Sequence, residues 1–502
     1  MPAYKQMPMP PDQMMLFGQS VDDALSADSD VRGFKDVMEC LDYSVISSKR
    51  SLEGCPPYPP KQMVQVLSYA YSKGIRSSRR IEELLNFDVR LIWLSGGLRP
   101  DHNTIARFRK DNPAELTRLF KDSVRVCVAS GLVYLNVVAT DGTKIPAAAS
   151  RKAIHGKQRL ERELAAVDRI LKEADEVDAA EDELYGSSEG NQIPEQMRDA
   201  KQRKARLKEI ADRLKVTNRA TVVETEPDAR VMLTRDGTRP CYNLQASVDA
   251  ESQVIVAMKL TQHEVDTGEL PEMVEQIESN TGCSPDVSLA DCGYWDASTL
   301  EWAAKSKHNV LMPLRERYRE KERDDLFASK CFLPALDRDV LICPAGRELV
   351  FRVEHCCRVG TYRQYAATNC QSCSFYRECV HTRYGSRRVN VSVMLSDREA
   401  MKEKLRTPEG KRLFRLRSQT VEPVFGQIKS NTGFARFLTW GLAGATAEMA
   451  LASIAHNVRK CAAKASIFAP LRFVNRLLAD IASQLGLSPT MPHFPNATAA
   501  QF

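Results

Sequence analysis

Two short stretches decide how this chain folds: LNVVATDG at residues 135–142 and DVSLADCG at residues 286–293. Each holds a brief apolar run of the kind that forms a buried strand. Each run ends in an aspartate, Asp141 before Gly142 and Asp291 before Cys292-Gly293. Taken alone, Asp-Gly is a common turn pair. The recurrence of one context in two distant places carries more, because ligand sites in open α/β sheets gather at strand ends. Two carboxylates from neighbouring strand ends can share magnesium, a hard cation that prefers oxygen and keeps several waters. Two such ions about 4 Å apart can hold the attacking and leaving oxygens of an in-line phosphodiester displacement.

Outward from these motifs the pattern stays α/β. YNLQASVDA (242–250) and QVIVAMKLT (253–261) read as strands, and the gap at Glu251-Ser252 suggests a hairpin without the usual glycine. Helices follow at 268–280 and 297–307, with NVLMPL (309–314) as another strand and a final helical stretch over about 408–460. This order implies a mixed sheet with helices on its faces. Residues 31–130 are helical throughout, and 1–30 read as a mobile tail. Pro59-Pro60 precede a helix with Met63, Val66, Leu67 and Ala70 at helical spacing, stopped by Gly74. Arg76, Arg79, Arg80, Arg107, Arg109 and Lys110 on exposed positions suit a helical DNA-binding module. A helical bundle with solvated arginines is the plainer alternative. Residues 151–216 are dense in charge. Leu160, Leu164, Val167, Leu171 and Ala174, then Ile193, Met197, Ala200, Leu207 and Leu214, give an inserted helical hairpin with a coiled-coil-like seam. Just after the first aspartate, Lys144, Arg151, Lys152 and His155 form either a contact to a DNA backbone or a solvated loop.

A third carboxylate stands in TVEPVFGQIKSNTGF (420–434). Glu422 and Lys429 are seven residues apart, about two helical turns, and share a face. Pro423 is poorly tolerated inside a helix, so the helix is expected to begin or kink there, with Glu422 at its start. Arg415 shares that face only if the helix is continuous.

The chain has 502 residues, 43% apolar and 27% charged, with a net charge of +6, so partners must be argued from local patches. The most apolar stretch, Gly441–Asn457, is interrupted by Glu448 and His456 and is too short to span a membrane. No signal peptide opens the sequence, which points to the cytoplasm. Seven of the 14 cysteines lie between Cys331 and Cys379. Cys343, Cys370, Cys373 and Cys379 give C-x26-C-x2-C-x5-C, a thiolate set for structural zinc. Cys356, Cys357, His355 and His381 compete as ligands, and reduced buried cysteines without metal are the alternative. Arg347, Arg352, Arg363, Arg377, Arg383, Arg387 and Arg388 make the segment basic, which fits a knuckle that touches DNA.

Four segments, PDHNTIARFRKDN (100–112), ATDGTKI (139–145), LADCGYWD (289–296) and TVEPVFGQIK (420–429), together resemble bacterial insertion-sequence transposases of the DDE class. Within them the chain resembles the group with an N-terminal helical domain, a ribonuclease-H-like core and a cysteine cluster before the last carboxylate. The resemblance implies that Asp141, Asp291 and Glu422 bind Mg2+ or Mn2+ and that Lys429 is a basic DNA contact. Many relatives carry an arginine four residues before the glutamate; here that position is Ser418, with Arg417 one step earlier. Lys144, Arg107, Arg109 and Arg417 complete the expected DNA-contacting set. The implied organisation is a helical domain at 31–130, a ribonuclease-H-like core at 131–316 and 385–465, the hairpin at 151–216, a cysteine-rich insert at 317–384 and a tail at 466–502. The implied chemistry is strand cleavage by metal-activated water and attack of the freed 3′ hydroxyl on target DNA. The partners would be terminal inverted repeats, target DNA and a second copy of the chain in a synaptic homodimer near the nucleoid. A nuclease that cuts without joining, or a DNA-binding derivative without catalysis, are the competing readings.

Overall fold

The computed structural model describes residues 20–46, 57–185, 195–306, 308–314, 327–328, 331–335, 338–357, 360–381, 385–393 and 395–467. The chain opens with α1 (Asp30–Met38), α2 (Pro60–Ser72), α3 (Ser78–Leu84), α4 (Val89–Ser95), α5 (His102–Asp111) and α6 (Pro113–Ala129). Pro60 sits in the first turn of α2, where a missing N–H has no intrahelical partner to lose. Met63, Val66, Leu67 and Ala70 are buried. Gly74 follows at a φ of +76°, a conformation suited to glycine. At α5, the Asp101 side chain accepts from the Thr104 amide at 2.6 Å and caps the helix.

The first motif forms β1 (Val137–Pro146). The strand does not stop at Asp141-Gly142, as the sequence reading expects. It continues to Pro146, because Asp141–Pro146 pair antiparallel with Ala246–Cys241. Next come β2 (Ile154–Gly156), α7 (Lys157–Tyr185), α8 (Glu195–Thr217) and β3 (Thr221–Val223). β2 and β3 pair and close the root of a helical hairpin. Its seam joins Leu160, Leu164, Val167 and Leu171 to Ala200, Leu207, Ile210 and Leu214. Ile193 and the side chains of Ala174 and Met197 lie outside the described residues. At the root Arg203 bridges Glu163 (2.8 Å) and Glu224 (2.9 Å). His155, a candidate DNA contact, is instead fully buried against Glu224 at 3.0 Å.

β4 (Arg230–Thr234), β5 (Gly237–Asp249) and β6 (Ile255–Thr261) follow, then α9 (Leu270–Thr281), β7 (Val287–Leu289), α10 (Ala297–Lys305) and β8 (Val310–Leu311). The sheet order is β4-β5-β1-β7-β8, with β6 also on β5. β1, β7 and β8 run parallel, whereas β5 is antiparallel to β1, β4 and β6. The β5–β6 turn replaces glycine with Gln253 at a φ of +59°. Asp249 stabilises the turn by accepting from the Ser252 amide at 2.9 Å.

The cysteine-rich segment holds more structure than a knuckle. β9 (Leu333–Pro334), β10 (Val340–Ile342), β11 (Glu348–Cys357), β12 (Gly360–Ala367) and β13 (Arg388–Ser392), with α11 (Tyr376–Cys379) between the last two, form a consecutive antiparallel sheet. Phe332, Leu341, Leu349, Tyr365, Ala367 and Val389 give it a core of its own.

The chain then forms α12 (Leu395–Arg406), α13 (Pro408–Gly426), a π turn over Gln427–Asn431, and α14 (Gly441–Ile467). α13 begins at Pro408, capped by Thr407, and runs through Pro423. Glu422 therefore lies deep in the helix rather than at its start. One continuous core joins Phe34, Leu67 and Leu116 through Ala450 and Ile454 of α14 to Val138, Leu244 and Val256 of the sheet. The polar residues that interrupt α14 are anchors: Glu448 accepts from Arg76 at 2.8 Å and from the Leu438 amide at 2.8 Å. His456 donates from Nε2 to the Gln253 carbonyl at 2.8 Å. Among the described residues no helix is long and apolar enough to cross a membrane.

Candidate active site

Strand register brings Asp141 and Asp291 together. β1 and β7 are parallel neighbours, and Ala139 pairs with Leu289. Asp141 and Asp291 are each two residues further on, so alternation puts both on the same face at equivalent depth. Asp141 Oδ1 accepts from the Gly142 amide at 2.9 Å, and Asp291 Oδ1 from the Gly293 amide at 2.7 Å. Burial pushes the Asp141 carboxyl up to about 6; Arg417 opposes this, while the charges of Asp291 and Asp266 add to it. Arg417 Nη1 donates to Asp141 Oδ2 at 3.0 Å.

Asp266 is an acidic neighbour that the sequence reading missed. It lies in the turn before α9, with no strand context to flag it. Its Oδ1 accepts from Asn243 Nδ2 at 2.8 Å and Gln245 Nε2 at 2.5 Å, both on β5. Tyr294 is fully buried and donates its hydroxyl to Gln245 Oε1. Burial raises that hydroxyl well above its usual value, and the charges of Asp266, Asp141 and Asp291 raise it further. Trp295 is buried too, so both aromatics after Asp291 are core residues.

α13 lies along β1. Val421, Val424 and Phe425 lie on its buried face, and Ile428 of the π turn is buried too. Arg417 reaches Asp141, and Lys429 donates to Thr143 Oγ1 and to the Lys144 carbonyl at 3.3 Å. Burial and nearby Arg235 depress the Lys429 ammonium. Lys144 donates to the Leu233 carbonyl at 3.2 Å. Glu422 is exposed and makes no hydrogen bond or ion pair with a described residue. It stands about 140° round the helix from Arg417. The structure therefore groups Asp141, Asp291 and Asp266, with Glu422 on the adjoining helix. Among the described residues no three histidine, cysteine or acidic groups are spaced to hold one metal ion. Magnesium needs only one or two carboxylates beside its waters. The clustered aspartates are the donor type that fits it.

Two expected DNA contacts are corrected. Arg109 and Arg76 are buried, not exposed. Arg109 donates to Tyr71 Oη and the Arg76 carbonyl, both at 2.9 Å, and to Ser78 Oγ. Its guanidinium fastens α5 to α2 and α3. Arg79, Arg80, Arg107 and Lys110 are exposed on the same helices.

Cys343, Cys370, Cys373 and Cys379 line one cavity with Phe327, Phe332 and Leu349. The Arg347 amide donates to Cys343 Sγ at 3.3 Å and the Arg387 amide to Cys370 Sγ at 3.4 Å. Arg347 also donates to Ser372 Oγ at 2.9 Å and its carbonyl at 2.8 Å, holding the Cys370–Cys373 turn. Arg363 pairs with Asp339. Part of the basic charge of this segment is therefore spent inside it.

Residues 342–462 match the family model described as Transposase DDE domain, and residues 19–111 match the one described as Transposase domain (DUF772). Neither segment includes the strands that carry Asp141 and Asp291. No curated protein matches the chain.

Proposed function

The chain belongs to the insertion-sequence transposases of the DDE class, and from this premise we propose that it cuts DNA at the ends of its element and joins the freed strands to target DNA. The observation that carries the reading is the placement of Asp141 and Asp291 each two residues beyond Ala139 and Leu289, which pair on adjacent parallel strands. We take the sheet order, with parallel β1, β7 and β8 flanked by antiparallel β5 and β6, as a ribonuclease-H-like core.

Asp141, Asp291 and Glu422 would hold Mg2+ or Mn2+. Divalent cations there would polarise the scissile phosphate and lower the proton affinity of the attacking water or 3′ hydroxyl. Arg417 pairs with Asp141 at 3.0 Å and offsets its charge. Among the described residues Glu422 has no partner to give up on turning to the site. Lys429 and Lys144 flank β1, where a phosphate of the bound strand would lie. Arg107 is exposed on the N-terminal helices for contacts to duplex flanking the cut. Joining two element ends to one target calls for two such sites, hence a homodimer. The four cysteines line one cavity without standing at metal-site spacing, so they would have to close on a structural zinc ion for it to tie the β9–β13 sheet together.

A strand-transfer assay on duplexes carrying the element's terminal repeats tests this reading. Asp141→Asn and Asp291→Asn should each abolish both cleavage and joining. Intact joining in either variant would overturn the mechanism, and cleavage without joining by the unaltered protein would make it a nuclease.

A further inference from the structure

We propose that Asp266 is a further acidic residue of the active site, presenting its Oδ2 to a water of the cation that Asp141 and Asp291 would hold. The network of Asn243, Gln245 and Tyr294 fixes its pose. This rests on the reading of the site given above.

Four observations lead there. First, Asp266 reaches the cleft through a gap kept by glycine. A Cβ on Gly142 would stand 2.2 Å from Asp266 Oδ1 and 2.7 Å from Gln245 Nε2. Any side chain next to Asp141 would expel this carboxylate. Second, its other oxygen faces Asp291. Asp266 Oδ2 lies 3.4 Å, and Asp291 Oδ1 2.8 Å, from the single point that a Cβ on Gly293 would occupy. Third, the orientation is enforced. Asn243 and Gln245 donate to Oδ1 alone. Tyr294 donates to Gln245 Oε1, which leaves the amide nitrogen for Asp266. Thr267 Oγ1 donates to the Gly293 carbonyl at 3.1 Å, pinning the Asp266 turn to the Asp291 turn. No described donor reaches Oδ2. Fourth, charge does not balance. Asp141, Asp291 and Asp266 meet one guanidinium, that of Arg417, since the amides holding Asp266 are neutral. A divalent cation is the neutralising partner of that arrangement.

The test measures Mn2+ binding to the full-length protein without DNA, from the electron paramagnetic resonance signal of free Mn2+. Asp141→Asn should remove the site. Asp266→Asn should weaken Mn2+ at least about tenfold, as losses around a metal site typically do. Gln245→Met keeps Asp266 but releases it, and should weaken binding by a smaller factor. If Asp266→Asn binds Mn2+ like the unaltered protein while Asp141→Asn does not, the Asp266 proposal fails and the active-site reading stands. If neither changes binding, both fail. Should Asp266→Asn lose its folded circular dichroism signal, Gln245→Met decides: unchanged affinity there overturns the proposal.

Discussion

At the residue scale, a close neighbour often matters more than a local pattern. Asp141 and Asp291 are legible in the sequence because both end a buried apolar run, and a strand has only two faces on which to put them. Asp266 is not legible. Its Asp-Thr-Gly context reads as a turn, and its importance arises only where β5 carries Asn243 and Gln245 beneath it. Arg109 is misread for a related reason. Its helix packs on two sides, so a position that looks solvent-facing points at Tyr71 and the Arg76 carbonyl. His456 gives a residue-level prediction. Burial depresses its pKa from 6.5 to about 4. The folded protein thus binds the proton less readily than the unfolded chain. The neutral ring supports the fold fully above pH 6.5, and that support is lost as pH falls from 6.5 toward 4. Urea midpoints of the unaltered protein and His456→Gln should converge over this range, by roughly 3 kcal/mol at most. A difference that stays constant with pH would show that the ring does not resist protonation.

At the element scale, two stretches depart from the sequence reading for physical reasons. Pro423 does not start or end α13, because Val421, Val424 and Phe425 bury one face of a helix that packs on β1 and β5. Tertiary packing of this kind outweighs a cost of about 3 kcal/mol for an internal proline. The π turn over Gln427–Asn431 follows directly, and such turns often stand at functional sites. Because α13 is continuous, Arg415 and Glu422 share its exposed face. The β9–β13 sheet escapes notice because its strands are short or rich in charge, as in ELVFRVEHCC (348–357). Its small core suggests why zinc would be needed. Native mass spectrometry should find zinc bound to the unaltered protein and lost in Cys373→Ser, with a lowered melting temperature. Equal metal content and melting in the two would leave the cysteines as ordinary packing residues.

At the scale of the whole molecule, the sequence reading separates an N-terminal helical unit from the sheet, whereas one core runs through both. α14 joins them. It packs on α1, α2 and α6 and also reaches β6, where Asn457 accepts from the Ile255 amide at 3.0 Å and donates to its carbonyl at 2.9 Å. Arg76 of the N-terminal region is tied to Glu448 and to the Gly433 and Arg436 carbonyls, just after α13 and its π turn. Contacts 360 residues apart in sequence are invisible to periodicity. DNA bound by the N-terminal helices would thus bear on a body rigidly continuous with the carboxylates. The central claim is that Asp141, within β1, and Asp291, just past β7, hold the catalytic cation. Anomalous X-ray scattering from crystals grown with Mn2+ tests it most directly. The account predicts a manganese peak bonded to carboxylate oxygens of both Asp141 and Asp291. Manganese bound elsewhere, with these two carboxylates unliganded in a protein that still transfers strands, would contradict it.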